Sequence, residues 1–338
     1  QQRIDLSEQY FNNFIIISQK LLENKQYVLA LNFWIKILEF VKEWENTNKH
    51  KALHKGTPYY FSAVASGRQN DFDSAMMLMH NALKEDKNNA PNWTKLPAYY
   101  FLTLNDQESK QYLKPYVNWI IEFIRDRLDG KGSKFGIYKN HYKAKRKGEL
   151  TYTQFREKFL ESHSVSRDIK FFFVYSIIRL WHLYRLHKNK LGDDLMAPLI
   201  FTNSLFTLIL VVDNLLKAWN NPNLERKLFS HHLPKIAINE NWINSQYEEQ
   251  YIGDLNYNNR RNSDFNNWCE ELIGFRGKTY ITQNSRRVLG ELESDFVLTC
   301  GLRNFSAHTV ESQSFLWQNY NEILQSILNC LFKTIELL

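Results

Sequence analysis

The stretch "LMAPLIFTNSLFTLILVVDNLLKAW", residues 195–219, decides the fold. It is apolar over about the 20 residues that a bilayer core demands of a helix, so the chain either crosses a membrane here or folds around this segment. Thr202, Asn203, Ser204, Thr207, Asp213 and Asn214 interrupt the run. A charged aspartate is costly in lipid, and the segment therefore reads as a helix buried in protein, with no membrane partner expected.

Four further segments around it carry helical, strongly apolar patterning. They are "RDIKFFFVYSIIRLWHLYRLHKN" before it and "SDFNNWCEELIGFRG", "SRRVLGELESDFVLTCGLRNFSAH" and "SQSFLWQNYNEILQSILNCLFKTIELL" after it. Together these five helices make a bundle of ordinary size. The stretch "HHLPKIAINENWINSQYEEQYIGDLNYNNRRN" is polar and Asn-rich and reads as a long insertion between them.

Composition agrees with an all-α chain. Hydrophobic residues make up 43% and aromatic residues 15%, enough for real cores, while 12 Gly and 7 Pro leave little material for a turn-rich all-β fold. The 338 residues suggest two domains. A formal charge of +7 favours an anionic partner such as nucleic acid, although lysines solvated on helix faces give the same sum. Cys269, Cys300 and Cys330 stand far apart with no C-x-x-C pair, which suits a reduced, cytoplasmic protein. The opening "QQRIDLSEQ" lacks the basic region and apolar run of a signal peptide, and with no initiator Met the numbering can start inside a longer chain.

The first part, residues 1–130, repeats a helix-turn-helix grammar. "KQYVLALNFWIKILEFVKEW" places Leu29, Phe33, Ile37 and Phe40 on one helical stripe. "GTPYYFSAVASGRQNDFDSAMMLMHNALKEDKNNAP" reads as two helices around a turn at "GRQND", the second ending near Lys87. This stretch resembles a tetratricopeptide repeat: "NDFDSA" with Phe72 and Ala75, then Ala82 and Leu83, fits the second-helix pattern, and Tyr59 stands for the usual first-helix aromatic. Ala63 occupies the usual glycine position, and in the upstream "NKQYVLA" element Ile37 replaces a small residue, so the resemblance is to a degenerate array. It implies a surface for a protein or ligand trigger. "NAPNWTKLPAYYFLTLN" and "LKPYVNWIIEFIRDRL" continue the pattern, with Tyr99, Tyr100 and Phe101 expected in the core.

Residues 131–164 read as a connector. Gly130, Gly132 and Gly136 precede a basic run of Lys139, Lys143, Lys145, Arg146 and Lys147, interleaved with Tyr138 and Tyr142. Such a run is either a solvated linker or a contact for RNA through phosphates and stacked bases.

An arginine followed a few residues later by a histidine recurs three times. Arg156 with His163, Arg226 with His231 or His232, and Arg303 with His308 all fit, as chance predicts for 16 Arg and 10 His in this chain. Context separates them, because only "LRNFSAH", residues 302–308, sits between two strongly apolar helical segments. That motif resembles the catalytic Arg-polar-to-His signature of the HEPN superfamily of helical ribonucleases. "VVDNLLKAW" is similar to the family's acidic element, with Asp213 where Glu is commoner, followed by Leu215, Leu216 and Lys217. The resemblance covers residues 165–338 and ties their two ends into one HEPN-like bundle.

What it implies is an endoribonuclease of tRNA or mRNA that needs no metal or other cofactor, in the manner of a toxin or anti-phage defence effector. His308 takes the 2'-OH proton in the pKa range suited to it, and Arg303 grips two phosphate oxygens. Asp213 and Asn304 complete the catalytic set, Ser306 is a weaker candidate, and Lys143, Lys145, Arg146, Lys147 and Lys217 bind RNA. The product carries a 2',3'-cyclic phosphate. Positions five apart lie about 140° around a helix, so either the helix breaks between Asn304 and Ser306 or a second copy completes the site; the family resemblance favours a homodimer. The alternative is a non-catalytic adaptor in which the bundle only dimerises and Arg303 clamps Asp213 or Asp295. His182 and His187 in "WHLYRLH" lack cysteine or acidic company and read as packing and surface.

Overall fold

The computed structural model describes residues 2–4, 11–49, 51–105, 113–129, 150–191, 196–220, 229–244, 265–273, 279–281 and 286–305, and then 313–338. Among them are fourteen α-helices and two short strand pairs, so the chain is all-α. Two compact units divide at Trp119 and Ile120.

In the first unit, α1 (Asn12–Glu23) and α2 (Tyr27–Thr47) form one hairpin, α3 (Gly56–Arg68) and α4 (Phe72–Asn89) a second. Both turns use a residue in the left-handed region, Lys25 at φ 59° and Asn70 at φ 64°, and Asp71 then caps α4 by accepting from the Ser74 amide at 3.1 Å. Ala63, Ala65 and Ala82 are buried where the second hairpin closes, because small side chains let helix axes approach. Trp34 joins the hairpins: its ring stacks on Phe61 at 5.5 Å and its Nε1 donates to Ser18 Oγ at 2.7 Å. Strands β1 (Gln2–Ile4) and β2 (Lys51–Leu53) pair in parallel. Ahead of α3, the buried His54 Nε2 stands 3.0 Å from Asp86 Oδ1, and a Cβ at Gly56 would collide with that oxygen. The short α5 (Pro97–Leu102) corrects one expectation: Phe101 is buried, but Tyr99 and Tyr100 are only half-buried, Tyr99 standing edge-on to Trp93.

The division falls within α6 (Lys114–Asp129). Ile120, Ile121, Ile124 and Leu128 are buried, and Arg127 donates to Asn321 Oδ1 at 2.9 Å, so this half-helix belongs to the second unit. The tail of the connector belongs there too. Thr151 and Gln154 form a capping box at α7 (Tyr152–Phe155), which runs into a π-helical turn, Arg156–Leu160, that buries Phe159 and Leu160.

The second unit is built around α9 (Met196–Asn220), the apolar helix of the opening stretch. It is packed by α8 (Arg167–Lys188), α10 (Phe229–Asn239), α12 (Glu291–Phe305), α13 (Gln313–Gln318) and α14 (Tyr320–Leu337), while a stripe through Asn203, Thr207, Leu210 and Asn214 stays open or half-buried. The last apolar segment is thus two helices parted at Asn319, whose side chain donates to Phe315 O at 3.0 Å. The expected insertion also needs correction, since its first part is α10, with His232, Leu233, Ile236 and Ala237 buried around an internal Pro234. The helix α11 (Phe265–Ile273) lays Trp268 against α12, and β3 (Thr279–Ile281) pairs antiparallel with β4 (Arg286–Val288).

Every fourth residue of α14 is polar in an otherwise apolar core. Asn321 accepts from Arg127; Gln325 donates to Arg127 O and Asn329 Oδ1, both at 2.9 Å; Asn329 donates to Asp295 Oδ2 at 2.8 Å; and Lys333 pairs with Glu240 at 2.9 Å. Buried polar groups are tolerated when partnered in this way, and such a line fixes the register of α14 against α6 and α12.

Candidate functional site

Asp213 lies on the fifth turn of α9, and its side chain is only 2% exposed. One turn on, at the i,i+4 spacing that brings side chains onto one helical face, Lys217 Nζ reaches Asp213 Oδ2 at 3.2 Å. Arg303 arrives from α12 and sets Nη2 3.9 Å from the same oxygen. Both cations sit in the last turn of their helices, where the backbone dipole favours positive charge. Two helices far apart in sequence thus bring an acid, a lysine and an arginine to one point.

The exposures differ within the cluster. Lys217 and Arg303 are each 23% exposed at the side chain, over a carboxylate that is sealed. Asp213 Oδ1 has no hydrogen-bond partner among the described residues. A buried carboxylate holds two cations whose outer faces reach solvent, and this arrangement can present a localised positive charge to an anion without letting either side chain wander.

Cys300, one turn before Arg303, borders the cluster. Burial pushes its thiol up to about 12 while Arg303 pulls it down, so it stays protonated and inert near neutral pH. Its i,i+3 spacing from Arg303 was the signal for this neighbour in the sequence. The next residue, Gly301, has no room for a side chain, because a Cβ there would run into the Trp268 ring. That close approach fixes how α12 enters its last turn.

Of the expected site residues, Asp213, Lys217 and Arg303 are together. Asn304 is in the last turn of α12, which ends at Phe305. His308 and the basic residues Lys143, Lys145, Arg146 and Lys147 lie outside the described residues. Asp295 does not serve Arg303; it accepts from Asn329. The competing arginines have local roles or fall outside the description: Arg156 pairs with Glu161 at 3.0 Å, and Arg226 is not among the described residues. His232 is a core residue whose Nδ1 meets Asn220 Nδ2 at 2.9 Å. His187 stacks on Tyr320 and stands edge-on to Trp317. Among the described residues no group of three His, Cys, Asp or Glu comes together as a metal site would require.

A scan against protein-family models, a search of curated proteins and a search of solved structures each found no match to this chain.

Proposed function

We propose that the second unit is a HEPN-type endoribonuclease whose centre is Arg303 and His308, steadied by Asp213 and Lys217. One observation carries this reading: the two sequence elements that resemble the family's motif, "VVDNLLK" and "LRN", meet at a single carboxylate. The bundle's other deep cations are shut away, Arg127 and Lys333 being almost wholly buried, whereas Arg303 and Lys217 reach solvent. A clamp that only held helices together would gain nothing from that opening.

In the reaction, His308 or its counterpart in a second copy removes the proton of a ribose 2'-OH. The 2'-oxygen forms a bond to phosphorus, the bond from phosphorus to the 5'-oxygen breaks, and the leaving oxygen takes a proton. Arg303 neutralises the charge growing on the phosphate oxygens, with Lys217 adding field, and Asp213 keeps the guanidinium aimed. The products are a 2',3'-cyclic phosphate and a 5'-hydroxyl end. By the same resemblance the active species is a cytoplasmic homodimer cutting tRNA or mRNA, and the helical hairpins of the first unit receive a protein or ligand trigger. Exposed Val28, Leu29 and Phe40 on α2 support that last role.

The test is incubation of the wild-type chain and His308→Ala with total RNA in EDTA. Cleavage by wild type and a loss of about a hundred-fold or more in the variant are expected. Undiminished cleavage by the variant overturns the assignment, and no cleavage by wild type, with any trigger removed by deleting the first unit or supplied by a cell extract, favours the adaptor.

A further inference from the structure

The C-terminal end of α9 holds a contact that the proposed centre does not use. At about 100° per residue, Lys217 and Asn220 fall about 40° and about 20° to either side of Asp213, so the three side chains share one face within an arc of about 60°. Asn220 lies about 10 Å along the helix from Asp213 and about 4.5 Å beyond Lys217. Arg303 meets this same face at Asp213. Helix α10 packs against both α9 and α12, and it brings Lys235 to the Asn220 end, where Nζ donates to Asn220 Oδ1 at 3.0 Å.

That bond fixes more than one side chain. An ammonium only donates, so the Asn220 oxygen faces Lys235 and its Nδ2 is left for the next partner. Nδ2 lies 2.9 Å from Nδ1 of His232, which is fully buried. The ring nitrogen therefore accepts, and the imidazole proton sits on Nε2. Lys235, Asn220 and His232 form one directed chain in which a core ring holds the amide and the amide holds the ammonium.

What the chain holds is a cation with no acid. Lys235 is half-buried, and among the described residues its one hydrogen-bond partner is this neutral amide. Helix α10 contains no acidic residue, and Glu240, the first after it, is taken by Lys333 at 2.9 Å. The single acid of α9, Asp213, is sealed under Lys217. Nor does Lys235 cap α9, because its acceptor is a side-chain oxygen and not one of the carbonyls that a last turn leaves open. Ordering a lysine costs side-chain entropy, and a half-solvated bond to a neutral amide offsets little more than that.

From this placement we infer that Lys235 binds the backbone phosphate next to the one held by Arg303 and Lys217, with Asn220 as its positioning residue. One RNA strand then lies across the C-terminal end of α9 with two successive phosphates engaged, contacts that set its register without reading its bases. This second subsite rests on the ribonuclease reading for its scissile neighbour, but phosphate binding at Lys235 is measured separately from cleavage.

The experiment measures binding of the full chain, in a His308→Ala background that prevents cutting, to a fluorescein-labelled single-stranded RNA of about 12 nucleotides by anisotropy, across a range of salt. Lys235→Gln keeps a donor for Asn220 and removes the charge. It is expected to weaken binding about five-fold at about 0.1 M salt and to flatten the log-log salt dependence by about 0.7, the share of one phosphate on a single strand. Lys235→Arg, which keeps the charge, should keep the slope. Asn220→Ala should also weaken binding, and adding Lys235→Gln to it should cost about two-fold or less, because the amide acts through the ammonium. Wild-type affinity in Lys235→Gln, or a loss with the salt slope unchanged, marks a structural lysine and overturns the subsite. Cleavage with His308 restored separates the two readings: Lys235→Gln should raise KM about five-fold on a trinucleotide and narrow its kcat/KM advantage over a dinucleoside monophosphate, which has one phosphate only. If RNA is cleaved and both substrates suffer alike, the ribonuclease reading survives without the subsite. If the salt slope changes as expected and no form of the protein cleaves, the subsite survives without the ribonuclease reading.

Discussion

Two buried charge clusters in the same bundle solve the problem of ionised groups in a core in opposite ways. Lys333 and Glu240 are both sealed, at 0% and 7% side-chain exposure, with Glu336, 15% exposed, 3.6 Å from the same ammonium. Asp213 is just as deeply buried, but its partners Lys217 and Arg303 keep part of themselves in water. A sealed pair gains nothing from a ligand and serves to fix the position of a helix. A sealed anion under two half-open cations leaves positive charge available to a visitor. The difference separates an architectural ion pair from a candidate site by exposure, not by distance.

The largest effect should come from breaking the sealed pair. Lys333→Ala takes the ammonium away from the buried Glu240, and a loss of about 3–5 kcal/mol in urea unfolding is expected; Lys333→Met alone should recover only the packing share of it, whereas Lys333→Met together with Glu240→Leu should recover most. Next is Gly301→Ala, which drives a methyl into Trp268; about 1–3 kcal/mol is expected, and a second change of Trp268→Leu should relieve it, a coupling that a double-mutant cycle would reveal. Asp213→Asn should cost only about 1 kcal/mol in stability, because the cations it releases are already partly solvated, while RNA cleavage by the same protein falls by an order of magnitude or more. A stability loss as large as that of Lys333→Ala would erase the distinction between the two clusters.

The smallest effect is a pH slope. Burial lowers the Lys170 ammonium from its ordinary value to about 8, with Glu161 opposing, and Nζ donates to Ser162 O at 2.5 Å. Between that value and the ordinary one the unfolded chain binds the proton that the folded chain has released, so stability contributed by this group rises with pH from about 8 upward. The wild-type urea midpoint should climb relative to Lys170→Met between about pH 7 and about pH 9.5. A constant gap would show that the amine is not desolvated.

Much of this architecture could be read from the chain before any coordinates. Residues 195–219 declared a core helix through apolar length broken by polar side chains, and the hairpin around Asn70 followed from its turn chemistry. The Asp213 to Lys217 contact was legible because it is a local i,i+4 relation. What escaped were groups whose partners are remote in sequence. Arg127 and Lys333 look like surface cations until Asn321 and Glu240 are found beside them, although the four-residue recurrence of Asn321, Gln325, Asn329 and Lys333 on an apolar helix was a visible sign. Helix α10 was hidden by its His-His-Leu-Pro opening, which reads as a turn, whereas packing of Leu233, Ile236 and Ala237 overrides that local preference. The connector likewise hid the aromatic residues that bury α7, because the charge run before them dominated the pattern.

The close approach of Gly301 to Trp268 bears on how a mutational library of this protein would be interpreted. Position 301 should tolerate glycine alone, and a screen scored by activity would place it beside Arg303 among the most sensitive codons. Such a score would measure steric room two residues from the proposed centre. Only a parallel screen for abundance would separate the positions, depleting substitutions at 301 while sparing those at Arg303.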